Sequence, residues 1–400
     1  MAETTRNESQ RDSAKSDRFQ STASASSSAP SRPSRQRPEA SERLLSNLAF
    51  YANYHGHELA HLQQLRRALR ENAGKRRLIY LLGDSTMDNK HWLYRTSDKY
   101  SSSALHRCPT ACNGYERVLS PPQKSIPDVA YWVNKAISMD SSAEVADSGS
   151  TNTAEVVSGV EGYCCINAAV EESTLGERWW GLKGHDRFVA DSFEEEDVLV
   201  FSCGGNDIAL CPSFLTVVNI LSALVCATHG IGTDPASGYA PGLAHFVNLF
   251  GQKTQDFILK VLDGRETRPR LIVVCMLYFL DENAEAPSWA SGTLSMLRYN
   301  VNPAILQNFI RYVFEEGTKK IAVPGCRVVP LPMFETLDGK TTEDYVARVE
   351  PSAVGGKKLG AALWQAIRKE LVVQQGMAEG AAEPSRLSSS GTGRRRNQRS

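Results

Sequence analysis

Leu78-Ile79-Tyr80-Leu81-Leu82-Gly83-Asp84-Ser85 decides the fold of this chain. Five consecutive apolar residues that stop at a glycine read as a short strand buried on both faces. A strand that breaks into Gly-Asp-Ser leaves a hydroxyl at the carboxyl end of a sheet, where open α/β folds bind their ligands. Turns favour Gly, Asp and Ser for their own reasons, so one such elbow says little. A second one says more. Asp197-Val198-Leu199-Val200-Phe201-Ser202-Cys203 runs into Gly204-Gly205-Asn206-Asp207. Two strands with small polar elbows bring a hydroxyl and a side-chain amide to one end of the sheet, where both can meet one reacting carbonyl.

Working outward, strand-like runs fall at 77–82, 162–167, 198–203, 270–277 and 327–331. Helical periodicity separates them, from Val129 to Ile137, Pro212 to Ala227, Ala244 to Leu262 and Pro303 to Phe314. Strand and helix in alternation imply a parallel sheet covered on both faces. The expected architecture is α/β, a three-layer flavodoxin-like fold with a five-stranded parallel sheet, closed by a helix from Val354 to Val373. The domain occupies 75–374. A helical segment at 41–74, divisible at Gly56, precedes it. Residues 1–40 form a Ser/Arg-rich tail and 375–400 a basic one, both of disordered composition. The long stretches 88–125 and 139–158 suit pocket-shaping loops.

The 400 residues carry 45 Lys+Arg and 45 Asp+Glu. That balance offers no basic field for nucleic acid, so no nucleic-acid partner is expected. No run reaches the roughly 18 apolar residues of a membrane span. Nine cysteines is an odd number, and several lie inside apolar runs as small hydrophobes. The first forty residues lack the apolar centre of a signal peptide. Together these favour a reducing compartment and a cytoplasmic location. Cys108 and Cys112 have no second pair at metal-binding spacing, and neither a metal nor another cofactor is expected.

Four blocks resemble those of the SGNH (GDSL-type) hydrolases, and the resemblance covers roughly Leu78 to Trp364. Gly83-Asp84-Ser85 is similar to the G-D-S block, and Gly204-Gly205-Asn206-Asp207 to the G-x-N-D block. Asn167 to Thr174 is similar to N-x-x-x-x-G-x-T, and Ala347-Arg348-Val349-Glu350-Pro351-Ser352 to D-x-x-H-P-S. The resemblance implies that Ser85 is the nucleophile, helped by its own N–H and the start of a following helix. Asn206 would donate to the oxyanion, Asp84 would hold the elbow, Gly205 would permit the tight turn and Asp207 would fix the loop. The other two blocks depart from the pattern. Glu172 stands at the oxyanion glycine, Ala347 at the orienting aspartate and Glu350 at the histidine. None of the eight histidines lies near that last block. Asp344 could orient a base only in a shifted register.

Glu172 and Glu350 are therefore expected to face Ser85 together. Two adjacent carboxyls raise one another's pKa and can share a proton. They could also hold a divalent cation with Asp88 or Asp344, or one could be neutralised by Arg348. The expected function is an esterase-like hydrolase in which Glu350 serves as a non-standard base. An ordinary glutamate, with pKa near 4.3, is a weak base for an alcohol. The alternative is a catalytically inactive SGNH-like pseudo-hydrolase acting as a ligand-binding or interaction module. The expected ligand is a small-molecule ester or carbohydrate ester.

Overall fold

The computed structural model describes residues 44–71, 75–93, 102–147, 162–209 and 241–382. Five strands form one parallel sheet: β1 Arg77–Gly83, β2 Tyr163–Asn167, β3 Val198–Ser202, β4 Leu271–Met276 and β5 Val328–Pro332. Their spatial order is β2-β1-β3-β4-β5. This is the doubly wound flavodoxin-like order, with its switch point between β1 and β3. Every residue of β2, β3 and β4 is buried, which is why these strands read as unbroken apolar runs rather than alternating ones. The strand bounds fall within two residues of those expected from the sequence.

Helices cover both faces. On one face lie α3 (Val129–Asp147) and α10 (Ala353–Ala382), the chain's long closing helix. They sandwich Ile79, Leu81, Val198 and Val200 against Leu359, Leu363 and Ile367. On the other face lie α2 (Leu59–Glu71), α4 (Gly184–Ser192), α7 (Thr254–Leu262) and α9 (Pro303–Glu316). Tyr80, Leu82, Leu199 and Phe201 point into that second core. Alternate strand residues thus feed opposite cores, as the period of two requires.

The segment before the sheet holds two helices, α1 (Asn47–Tyr51) and α2, on either side of Gly56. The expected helix from Ala244 to Leu262 is two helices, α6 (Pro241–Asn248) and α7, joined by one π-helical turn over Leu249–Lys253. The expected helix from Pro212 to Ala227 lies outside the described residues. Two short helices complete the elements used below, α5 (Gly205–Ala209) and α8 (Ser291–Met296). Two-residue strands β6 (Tyr345–Val346) and β7 (Glu350–Pro351) pair antiparallel before α10. Among the described residues no helix is long and apolar enough to cross a membrane.

Candidate active site

β1 and β3 pair in register through Gly83 and Ser202, so both elbows leave the sheet at the same level. Gly83 adopts φ +129°, and a Cβ built there would lie 1.6 Å from the Ser202 carbonyl oxygen. Only glycine lets β1 and β3 approach this closely. Beyond it, Asp84 Oδ1 accepts the Thr86 N–H at 3.1 Å, and the Asp84 carbonyl accepts the N–H groups of Met87 and Asp88. Ser85 sits on this turn, buried, at the wall of a cavity of about 110 Å³. The elbow passes through a turn into a 3₁₀ helix over Asn89–Leu93. No α-helix begins at Ser85, so the expected helix N-terminus behind the nucleophile is absent and its amides are those of a tight turn.

The second elbow brings Asn206 to the same cavity. Its Nδ2 donates one hydrogen to the Ser173 carbonyl at 3.2 Å, which fixes the amide plane and leaves the second N–H of the group. Gly205 lies against the Asp84 carboxyl. Asp207 accepts the N–H groups of Leu175 and Gly176 at 2.8 and 3.0 Å. It thereby ties α5 to the loop after β2.

That loop departs from its sequence reading by one residue. Glu172 is exposed and has φ +60°, the left-handed conformation that a glycine adopts without cost. It turns outward, and its Oε1 accepts the Tyr54 hydroxyl at 2.8 Å. The residue inside is Glu171. Its side chain is buried, Oε1 accepts the Trp92 indole N–H at 2.8 Å, and Oε2 has no partner. Its backbone N–H donates to Asp88 Oδ2 at 3.0 Å. Asp88 also accepts the Gly56 N–H and forms a wholly buried ion pair with Lys90 at 2.5 Å. The N-terminal segment thus closes the back of the site through Tyr54, Gly56 and His55, whose ring contacts the Glu171 carbonyl.

Glu350 reaches the cavity from β7. Three anchors place it. Tyr278 donates its hydroxyl to the Val349 carbonyl at 2.6 Å, Asn89 donates to the Pro351 carbonyl at 3.0 Å, and Glu350 itself pairs across to Val346. Ala347 and Arg348, both at positive φ (+51° and +66°), make the turn between β6 and β7. The Arg348 guanidinium is buried on the Asp281 carbonyl and Asn300 Oδ1, so it is committed elsewhere and does not neutralise Glu350. Asp344 is likewise outside the cavity lining; it pairs with Lys358 at 2.6 Å. Neither occupies the role the sequence suggested for it.

The electrostatics follow from this packing. Burial, reinforced by the Asp84 charge, raises the Glu350 carboxyl well above the carboxylate range, and the neighbouring Ser85 side chain offsets part of that rise. Burial raises Glu171 further, with Glu350 and Asp88 adding to it. Burial pushes Asp84 up to about 6. Asp84 Oδ2, Glu171 Oε2 and Glu350 Oε2 are all buried without a partner. Asp84 and Glu350 line the cavity and Glu171 lies near Glu350; three buried carboxyls with no cation bonded to them hold at least one proton at neutral pH. No group of three or more His, Cys, Asp or Glu side chains among the described residues is arranged to hold a metal.

Arg178 was not singled out in the sequence. It is buried beneath the first elbow, paired with Asp186 at 2.9 Å and donating to the Ser173 hydroxyl, the Thr174 carbonyl and the Gly83 carbonyl. One cation thus locks Gly83 and the loop after β2 to α4. Its signal in the sequence is faint: Lys183-Gly184-His185-Asp186 is a helix start whose aspartate faces inward.

No family model matches the sequence, and no curated protein matches it. Among solved structures the chain is similar to an acetyl xylan esterase from Geobacillus stearothermophilus (13% identity, TM-score 0.34), covering 74% of this chain and 94% of that one. It is also similar to an extracellular lipase from Streptomyces rimosus (14% identity, TM-score 0.32), covering 73% of this chain and 99% of that one. Likeness this distant leaves the reading of the site to its own residues.

Proposed function

We propose that the chain is an SGNH-like serine esterase that uses Ser85 as nucleophile and Glu350 as base. The observation that carries this reading is that Ser85, Asn206 and Glu350, from three separate elements, line one buried cavity. A nucleophile needs a base within reach and a donor for the oxyanion, and these three residues supply that set. In its ionised form Glu350 takes the Ser85 proton as Oγ attacks the ester carbonyl. The proton then passes to the departing alkoxide as the C–O bond breaks. Water then attacks the acyl carbonyl as Glu350 takes its proton; the Ser85 Oγ–acyl bond breaks, the acid leaves, and Glu350 returns that proton to Oγ. Asn206 Nδ2–H bonds the oxyanion in both steps.

Raising its pKa makes Glu350 a stronger base than a solvated glutamate but leaves it protonated over more of the pH range. The two effects oppose one another, and activity belongs on the alkaline side of neutrality. Glu171, and not Glu172, is the buried carboxyl near Glu350; the Glu350 charge raises it further, so it keeps its proton while Glu350 ionises. A second reading, a ligand-binding pseudo-hydrolase, draws on the same burial, because a Glu350 that never ionises leaves Ser85 inert.

Incubation with a fluorophosphonate at alkaline pH distinguishes the two. The esterase reading expects covalent phosphonylation, mapped by mass spectrometry to Ser85 and abolished in Ser85→Ala. An unlabelled wild-type protein that still binds a non-hydrolysable ester analogue establishes the second reading instead.

A further inference from the structure

The cavity at Ser85 has two unlike ends. Ser85, Asp84, Asn206 and Glu350 stand at one. The rest of its wall includes Leu294, Leu297, Leu306, Phe309 and Ile310, drawn from α8, α9 and the residue that follows α8, while Phe250 of the π-helical turn packs on Gly204 beside the second elbow. All six are buried. Of the described residues in that far wall, only Thr293 carries a hydroxyl, and Tyr278 near the reacting end has its own hydroxyl committed to the Val349 carbonyl. Trp289, 40% exposed, also lines the cavity and stacks on Trp92 (ring centroids 6.3 Å apart).

A charged or polyhydroxylated group placed in the far end would lose its hydration and find no partner. An alkyl chain would lose nothing and gain about 0.8 kcal/mol per methylene buried. The chemistry also decides which half of an ester belongs there. The acyl group stays bonded to Ser85 after the alcohol leaves, whereas the alcohol must exit and water must enter. A closed apolar recess suits the half that stays.

We propose that this recess is an acyl-chain pocket, and that the substrates are esters of medium-chain fatty acids whose alcohol part remains outside. The proposal rests on the esterase reading for turnover but not for binding. It also shifts the expectation of a carbohydrate ester: a sugar fits only as the alcohol, not as the group in the recess.

The test is a series of p-nitrophenyl esters from acetate to octanoate with wild-type protein. Each methylene that enters the recess raises kcat/KM about fourfold, the factor equivalent to ~0.8 kcal/mol. Two variants should move the preference oppositely. Ala290→Phe, which fills the recess, lowers the octanoate-to-acetate ratio by more than about tenfold, and Leu294→Ala, which enlarges it, moves the optimum to a longer chain. Circular dichroism confirms that each is folded, and Thr293→Glu, a charge at a half-buried position of the same wall, stands in for any variant that is not. A flat series, or preference for acetate, overturns the proposal. If no ester is turned over, calorimetric titration with octanoate decides. Binding to wild type that weakens at least tenfold in Ala290→Phe or Thr293→Glu keeps the pocket and rejects the esterase. No binding of octanoate rejects the pocket.

Discussion

The two strand elbows and the two later loops contribute equally to the site, yet they obey different rules. At Gly83–Ser85 and Gly204–Asn206 the parallel register of β1 and β3 fixes the direction of each side chain. Strand hydrogen bonds reach to the last residue before the turn. Glu171–Glu172 and the Ala347–Arg348 turn before Glu350 lie outside the parallel sheet. Residues at positive φ set direction there instead: Glu172 in one loop, Ala347 and Arg348 in the other. A single left-handed residue reverses which neighbour faces inward. Where a sheet holds the backbone, position along the sequence names the inward residue; where a turn holds it, the conformation must be known as well.

Several substitutions break or sharpen that contrast. The largest effect is expected at the sheet-bound elbow. Gly83→Ala forces a Cβ into the Ser202 carbonyl, and a backbone clash within a buried parallel pair belongs with the most destabilising substitutions, above about 4 kcal/mol. Urea unfolding should show either that loss or no folded protein. Next comes Arg178→Met, which leaves Asp186 buried without its cation and frees Gly83 from the loop after β2. Breaking a buried pair from one side costs about 3–5 kcal/mol, and the same unfolding measurement reads it.

For turnover, Asn206→Ala should lower kcat by about 10²–10³, the usual worth of one oxyanion donor. KM for a p-nitrophenyl ester should change far less. An equal rise in KM would mean that Asn206 binds the substrate rather than the transition state.

The loop comparison is tested by neighbouring substitutions. Glu171 has a folded pKa raised by burial, so the folded state holds its proton where the unfolded chain has released it. Stability from this group is therefore complete below the unfolded value, about 4.3, and is lost progressively as pH rises toward the folded value. Glu171→Gln keeps the acceptor for Trp92 and removes that loss. Its stability relative to wild type should rise on the order of 1 kcal/mol between about pH 5 and pH 8, followed by thermal unfolding at several pH values. Glu172→Gln, on the exposed side of the same turn, should show no such trend. A pH trend in Glu172→Gln and none in Glu171→Gln would reverse the assignment.

The sheet was legible because β2, β3 and β4, and nearly all of β1, are buried on both faces and so write themselves as apolar runs; the edge strand β5 is half-buried throughout. Ser85 and Asn206 were legible for the same reason: they stand immediately beyond such runs. Glu350 was visible only as a substitution within a recognisable Pro-Ser block, and the sequence gives no sign that Tyr278 and Asn89 hold its strand. Glu171 was hidden by its neighbour, since two adjacent glutamates look alike until φ is known. The partners of Asp344 and Arg348, Lys358 and the Asp281 carbonyl, are set by the packing of α10 and of the segment after β4, which the residues of the last block do not announce. Arg178 needed the fold, because its contacts join β1, the loop after β2 and α4.

The central claim is that Glu350, held largely protonated by burial beside Asp84 and Glu171, is the base for Ser85. The pH dependence of the fluorophosphonate labelling rate tests it most directly, between about pH 5 and pH 9, in wild type, Glu171→Gln and Glu350→Gln. The account predicts a wild-type rate that rises through a limb well above the ordinary carboxylate range. Glu171, raised further still, stays protonated while Glu350 ionises, so Glu171→Gln should leave that limb in place. Glu350→Gln should be slower by about 10²–10⁴ above that limb, with the difference shrinking below it. A labelling rate that Glu350→Gln leaves unchanged, or a limb that lies in the ordinary carboxylate range, would contradict it.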